Sequence, residues 1–258
     1  KPVQFAQSLV LLLIFLMSGC GKTAVSTPNT SSNENRPVTT AATPTLIPSP
    51  TAVPNVTPPA SATQPFAGLS IGDPYAPELG NLGYDVAEYD LILQLDPAVE
   101  NIDATVHISG VVTDPDLAAL SLDFVGFEIA EVQLDGRPVA FSRLEDKLIV
   151  QPSLPLTAGQ TFTISVTYSG DPVERPSRFV GFAASLGMSF VDGESIYVLS
   201  EPDGSRYWFP NNDHPRDKAT YRFEITVPAG KTAVANGLLI DQIDDQTPTT
   251  FIWEHGCR

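Results

Sequence analysis

The chain predicts an all-β domain of antiparallel strands, arranged as a sandwich or as open sheets, on three observations. Apolar and polar residues alternate with period two: Tyr221, Phe223, Ile225 and Val227 are separated by Arg222, Glu224 and Thr226, the pattern of a half-buried strand. Turn signals recur from Asp114-Pro115 through Asp135-Gly136, Ala158-Gly159, Ser169-Gly170 and Pro228-Ala229-Gly230 to Asn236-Gly237. No stretch of the folded part reads as a helix.

Residues 1–19 read as a signal peptide. The apolar run Leu9 to Leu16 follows Lys1 and falls far short of the roughly 20 residues that a membrane-spanning helix needs. It ends in Leu16-Met17-Ser18-Gly19-Cys20, which resembles a bacterial lipoprotein cleavage site and predicts that Cys20 is acylated and becomes the mature N-terminus. Residues 20–80 are dominated by Thr, Ser, Pro, Ala and Asn, including Pro44, Pro48, Pro50, Pro54, Pro58 and Pro59. Such a composition buries too little apolar surface to offset the entropy of ordering, so a disordered, extended stalk is expected. The resulting location is extracytoplasmic, with the domain tethered to the bacterial membrane through a lipid anchor.

Residues 81–258 form the predicted domain, and about 175 residues suffice for one hydrophobic core. Strands are expected at Tyr89–Leu95, Thr105–Val112, Ala119–Phe124, Glu128–Leu134, Lys147–Gln151, Thr161–Tyr168, Ile196–Ser200, Tyr221–Val227, Thr232–Asn236 and Thr249–Trp253. Between them, Asp171 to Gly193, rich in Gly, Ser and Phe, reads as a loop across the sheet.

The formal net charge is −16, which argues against nucleic acid and against an anionic membrane surface as partners, since both would repel the chain. Of the two cysteines, acylation of Cys20 leaves Cys257 without a mate, so no internal disulfide is expected.

The most specific signal is the run from Leu199 to Val227. In it Phe209, Pro210, Asp213, Pro215, Lys218, Ala219, Thr220 and Tyr221 lie in a fixed spacing just ahead of a clean strand. This spacing resembles the N-terminal β-domain of the zinc aminopeptidase family that includes aminopeptidase N and the leukotriene epoxide hydrolase. Upstream, Tyr84-Asp85-Val86 and Tyr89-Asp90-Leu91 ahead of Leu93, Leu95 and Asp96 resemble that family's opening strand, and the likeness extends to about Trp253. It implies a twisted, saddle-shaped set of antiparallel sheets. The family's catalytic domain carries H-E-x-x-H and a second Glu; here His107, His214 and His255 are the three histidines, none in that setting. Together with Gly256-Cys257-Arg258, which departs from the family pattern, this reads as a fragment that lacks the catalytic domain and is inactive alone. Zinc would belong to the full-length parent, with no cofactor in this chain.

By the same resemblance Glu201 falls where the family places a Glu or Gln that reaches into the catalytic domain and receives the substrate's free α-amino group. A desolvated carboxylate distinguishes an ammonium terminus from an internal amide through a charge-assisted hydrogen bond of about 1.5–3 kcal/mol. Pro202 biases Glu201 toward an extended backbone. The expected partners are peptide N-termini and the missing catalytic domain. Asp203, Asp213, His214 and Asp217 do not have the ligand types that zinc selects, and read as caps of a tight Pro-bounded turn. Tyr207, Trp208 and Phe209 read as packing, and His107 as facing solvent or a neighbouring strand. The alternative of a different class is a non-catalytic surface-tethered β-domain that binds proteins, since fold does not fix function.

Overall fold

A computed structural model describes residues 69–173, 175–177, 179, 185–244 and 248–256, together with the backbone of Ile14 and Phe15. Eight strands form the main sheet, in the order β14 (Leu238–Ile243), β15 (Thr249–His255), β13 (Thr220–Val227), β2 (Tyr84–Asp96), β3 (Asn101–Val112), β9 (Thr161–Gly170), β5 (Glu128–Leu134) and β6 (Arg137–Pro138). A three-stranded sheet runs β4 (Leu120–Asp123), β8 (Lys147–Gln151) and β7 (Ala140–Leu144). A four-stranded sheet runs β1 (Ile14–Phe15), β12 (Ser195–Leu199), β11 (Ser185–Val191) and β10 (Arg175–Pro176). Helical structure among the described residues is one turn of 3-10 helix, Ser205–Tyr207.

The all-β class is as the alternation predicts, but the sheets are not purely antiparallel. β13 lies parallel to β2, with Tyr221 opposite Tyr89 and Phe223 opposite Leu91, and β1 lies parallel to β12. Period two explains the core directly. Leu91, Leu93 and Leu95 of β2, Val106 and Ile108 of β3, Ile164 and Val166 of β9, and Phe223 and Ile225 of β13 all turn to one face and are buried there. Val86 and Tyr89 share that face although they are three residues apart, because a β-bulge between Val86 and Glu88 shifts the alternation by one. The smaller sheets cover this face through Leu120, Leu122, Leu148 and Val150 and through Met188, Ile196 and Val198.

The opposite face of the main sheet is polar. One row of residues in direct register crosses six strands: Glu254, Arg222, Asp90, His107, Ser165 and Gln133. Within it Arg222 Nη1 donates to Asp90 Oδ1 over 2.9 Å, and His107 Nδ1 lies 2.7 Å from Ser165 Oγ. His107 therefore faces the neighbouring strand, as expected.

Three expectations need correction, the first being the end of the stalk at residue 80: Ala76 and Leu79 are buried and the Gly80 carbonyl accepts from buried Lys147, so the packed domain begins earlier. The segment Asp171 to Gly193 is not a loop throughout, since β10 and β11 lie within it. β11 pairs with β12 through a hairpin turn at Asp192-Gly193, both with positive φ, 53° and 65°. That Asp-Gly pair between two alternating runs is the hairpin signal itself. Thr232–Asn236 makes no ladder; its alternation reflects burial of Ala233 and Ala235 alone. The strand lies just beyond, at β14, whose six residues are all exposed and so show no alternation. Gly237 leads into it with φ 103°, where a Cβ would sit 2.0 Å from the Glu254 carbonyl oxygen. β7 is likewise exposed along its length and was hidden for the same reason.

Candidate functional site

The site is built where β12 gives way to the turn that carries Glu201. Ser200 is buried, Glu201 and Pro202 are exposed, and Asp203 and Gly204 are buried again. The Gly204 N–H donates to the Ser200 carbonyl over 2.7 Å, which closes the turn. Only glycine fits at its end, because a Cβ on Gly204 would lie 2.7 Å from the Leu199 carbonyl oxygen. The Glu201–Pro202 peptide bond is cis. Glu201 thus projects from this chain into solvent as a free-standing carboxylate at the tip of a turn with a buried base.

The residues that follow fix this turn to the core. Arg206 pairs with Asp203 at 3.1 Å, and its Nη2 donates to the Tyr207 hydroxyl over 2.9 Å. Trp208 and Phe209 are almost wholly buried, with ring centroids 4.4 Å apart, and Phe209 meets the Tyr89 ring edge-on at 5.6 Å. The aromatic trio is packing, as predicted.

Behind the turn lies a buried polar network. β4 and β8 are covered on both faces: Leu120 opposite Val150 and Leu122 opposite Leu148 meet the main core, whereas Asp123 opposite Lys147 points the other way. There Lys147, 0% exposed, donates from Nζ to Asp123 Oδ1 over 2.6 Å, to the Gly80 carbonyl over 2.9 Å and to Asn81 Oδ1 over 3.0 Å. All three protons of the ammonium are satisfied, which is what a buried charge requires. Burial pulls the Lys147 amine below its ordinary value, and the Asp123 carboxylate opposes that shift. Asp123 is the hub. Its Oδ2 accepts from Gly80 N, Asn81 Nδ2 and Asp213 N, and its backbone exchanges two hydrogen bonds with Asn211 at 2.7 and 3.0 Å.

The acidic residues of the motif do not gather into one site. Asp213 accepts from Arg206 N over 3.3 Å, and Asp217 accepts from Val86 N over 3.1 Å and from Asn212 Nδ2. His214 Nε2 lies 3.4 Å from Asp73 Oδ2. Each therefore ties the Pro-bounded turn to a different neighbour, which is the capping role expected from the sequence. Burial, reinforced by the nearby Asp123 carboxylate and opposed by Arg206, pushes the Asp213 carboxyl up to about 8. Among the described residues no three His, Cys, Asp or Glu side chains converge as a metal site.

Sequence reasoning named Glu201 but missed Asp123, Lys147 and Asn81, which tie down the stretch from Asn211 to Asp213 of the same segment. The available signal was a Lys at the head of the apolar strand Leu148-Ile149-Val150 and an Asp inside Leu120-Ser121-Leu122-Asp123-Phe124. Charges in such settings are buried in pairs or not at all. Cys20 lies outside the described residues.

Known proteins give this geometry a context. The model of the peptidase M1 N-terminal domain matches residues 86–257. Among curated proteins, probable aminopeptidase 1 of Sulfurisphaera tokodaii is 30% identical over 132 residues, 49% of this chain and 15% of that protein. Among solved structures, an M1 zinc metallopeptidase mutant from Deinococcus radiodurans with a Tyr-Ser-Ala substrate bound is 32% identical with a TM-score of 0.65. That match covers 72% of this chain and 42% of the other. A two-domain M1 zinc metallopeptidase with bound L-arginine is 31% identical with a TM-score of 0.66, again over 72% and 42%. This chain thus spans under half the length of each of these proteins. A family match over residues 86–257, together with the β-architecture it meets here, places this chain in the M1 aminopeptidase family, as its N-terminal domain.

Proposed function

We propose that this chain is the substrate-terminus-recognising part of a membrane-anchored zinc aminopeptidase. Glu201 receives the α-ammonium group of a peptide, and the H-E-x-x-H motif lies in a further domain of the same polypeptide. Bound there, zinc supplies an activated water for attack on the first peptide bond. This chain supplies none of that chemistry and is inactive alone. What its residues do is hold a carboxylate outward on a buried, hydrogen-bonded turn. When a neighbouring domain closes over it, loss of water strengthens its attraction for an ammonium group.

The observation that carries the reading is the exposure of Glu201 between buried Ser200 and Asp203, eight residues before Phe209 of the matched motif. Replacing Glu201 by Ala in the full-length peptidase is expected to lower kcat/KM for amino-acid amides roughly 10- to 150-fold, the arithmetic of losing one charge-assisted hydrogen bond. An unchanged kcat/KM removes Glu201 from the site.

The leader supports an extracytoplasmic location with Cys20 as the lipid-bearing residue and the Thr-, Ser- and Pro-rich residues that follow it, up to the packed stretch from Asp73 to Gly80, as the spacer that holds the domain clear of the membrane. Cys20→Ser is expected to shift the protein from the membrane pellet to the soluble fraction of fractionated cells. Retention in the pellet would disprove lipidation at Cys20.

A further inference from the structure

Glu201 and Pro202 are exposed, and what ties down the chain around them is a short series of contacts that reaches back to the main sheet. The Trp208 indole N–H donates to Ser200 Oγ over 3.0 Å, at a serine only 3% exposed. The Gly204 N–H holds the carbonyl of the same serine. Trp208 is itself clamped by Tyr168 of β9, whose hydroxyl donates to the Trp208 carbonyl over 2.8 Å. On the far side of the turn, Asp203 is paired with Arg206, whose carbonyl accepts from Val125 N over 2.9 Å. The backbone is fastened before and after Glu201, while the carboxylate itself is left outside.

Ammonium recognition by a single carboxylate depends on this arrangement. A group that must first be ordered gives up affinity on binding, and a displacement of even about 1 Å weakens a directed contact severely. A β-strand that simply ended at Leu199 would leave the next residues to move with solvent.

We propose that Ser200 and Trp208 are positioning residues for Glu201, and that their hydrogen bond sets where the carboxylate meets the substrate's amino terminus. The proposal rests on the reading of Glu201 given above. It assigns specificity for a free terminus to two buried groups that never touch the substrate. Ser200 is not among the residues singled out in the sequence of this segment, and Trp208 reads there only as packing.

The test uses the full-length peptidase and amino-acid amides. Ser200→Ala removes the acceptor and Trp208→Phe removes the donor while keeping an aromatic ring. Each is expected to raise KM about tenfold and leave kcat within about twofold. Ser200→Thr, which keeps the hydroxyl, recovers most of that loss. In a Glu201→Ala background neither change has a further effect, because the side chain they aim is gone. Thermal melting measured alongside separates this from general loosening, which would lower kcat and add to the Glu201→Ala defect. If Glu201→Ala is impaired but Ser200→Ala keeps the wild-type KM, the positioning role falls and the Glu201 reading stands. If Glu201→Ala itself behaves as wild type, both fall. Should Trp208→Phe fail to fold, the contrast of Ser200→Ala with Ser200→Thr decides alone.

Discussion

Lys147→Ala is expected to destabilise the domain by about 3–5 kcal/mol, measured as a drop in the midpoint of urea unfolding. The magnitude follows from what stays behind. Asp123 is 1% exposed and would lose the cation beside it, while the Gly80 carbonyl and Asn81 Oδ1 would lose a donor. The methylene stem of Lys147 is also buried, so a cavity adds to the loss. The pair as a whole is worth much less than either half. Removing two charges from water largely cancels their attraction, so a variant with both Asp123→Leu and Lys147→Met should recover part of the stability lost by Lys147→Ala. Recovery has a limit here, because Asp123 Oδ2 also accepts three N–H groups that leucine cannot satisfy. A Lys147→Ala loss under about 1 kcal/mol would mean that the network is solvated and does not tie down the stretch from Asn211 to Asp213.

The second large effect is on pH dependence. The Asp213 carboxyl sits at about 8 in the folded domain against 3.8 as a free side chain. Below pH about 4 the group is protonated in both states, and its contribution to stability is complete. Between about 4 and 8 only the folded state holds the proton, so stability falls by up to about 1.4 kcal/mol per pH unit as the pH rises. Above about 8 both states have lost it and the decline ends. Asp213→Asn removes the titration and keeps an acceptor for Arg206 N–H. The variant should therefore match the wild type near pH 4 and exceed it by several kcal/mol at pH 8. Taking the difference between the two proteins cancels every other titrating group. Parallel stability curves from pH 4 to pH 8 would show that Asp213 is ionised in the fold.

Strands with one buried face were legible from the sequence because burial imprints an alternation: β2, β3, β9 and β13 all carry it. Strands without that asymmetry were not. β14 and β7 are exposed on every residue, and no local pattern separates such a strand from a loop. Direction was also illegible, since alternation is the same in parallel and antiparallel ladders; the β2–β13 pair joins residues 132 apart at Asp90 and Arg222. At the site, Glu201 was legible through the motif around it. The buried Lys147–Asp123 pair was not, because its members come from separate segments and meet only once β4 and β8 lie side by side.

The polar row from Glu254 to Gln133 also acts as a lock on strand alignment. A slip of one residue in β2 would turn Asp90 into the interior and expose Leu91, and a slip of two in the direction that sets Arg222 opposite Ile92 would keep the faces but break the ion pair. Misthreaded sheets are therefore penalised twice, by a stranded charge and by a broken ion pair. The parallel join between β2 and β13, whose paired residues lie 132 apart in sequence, is held to its alignment by that ion pair.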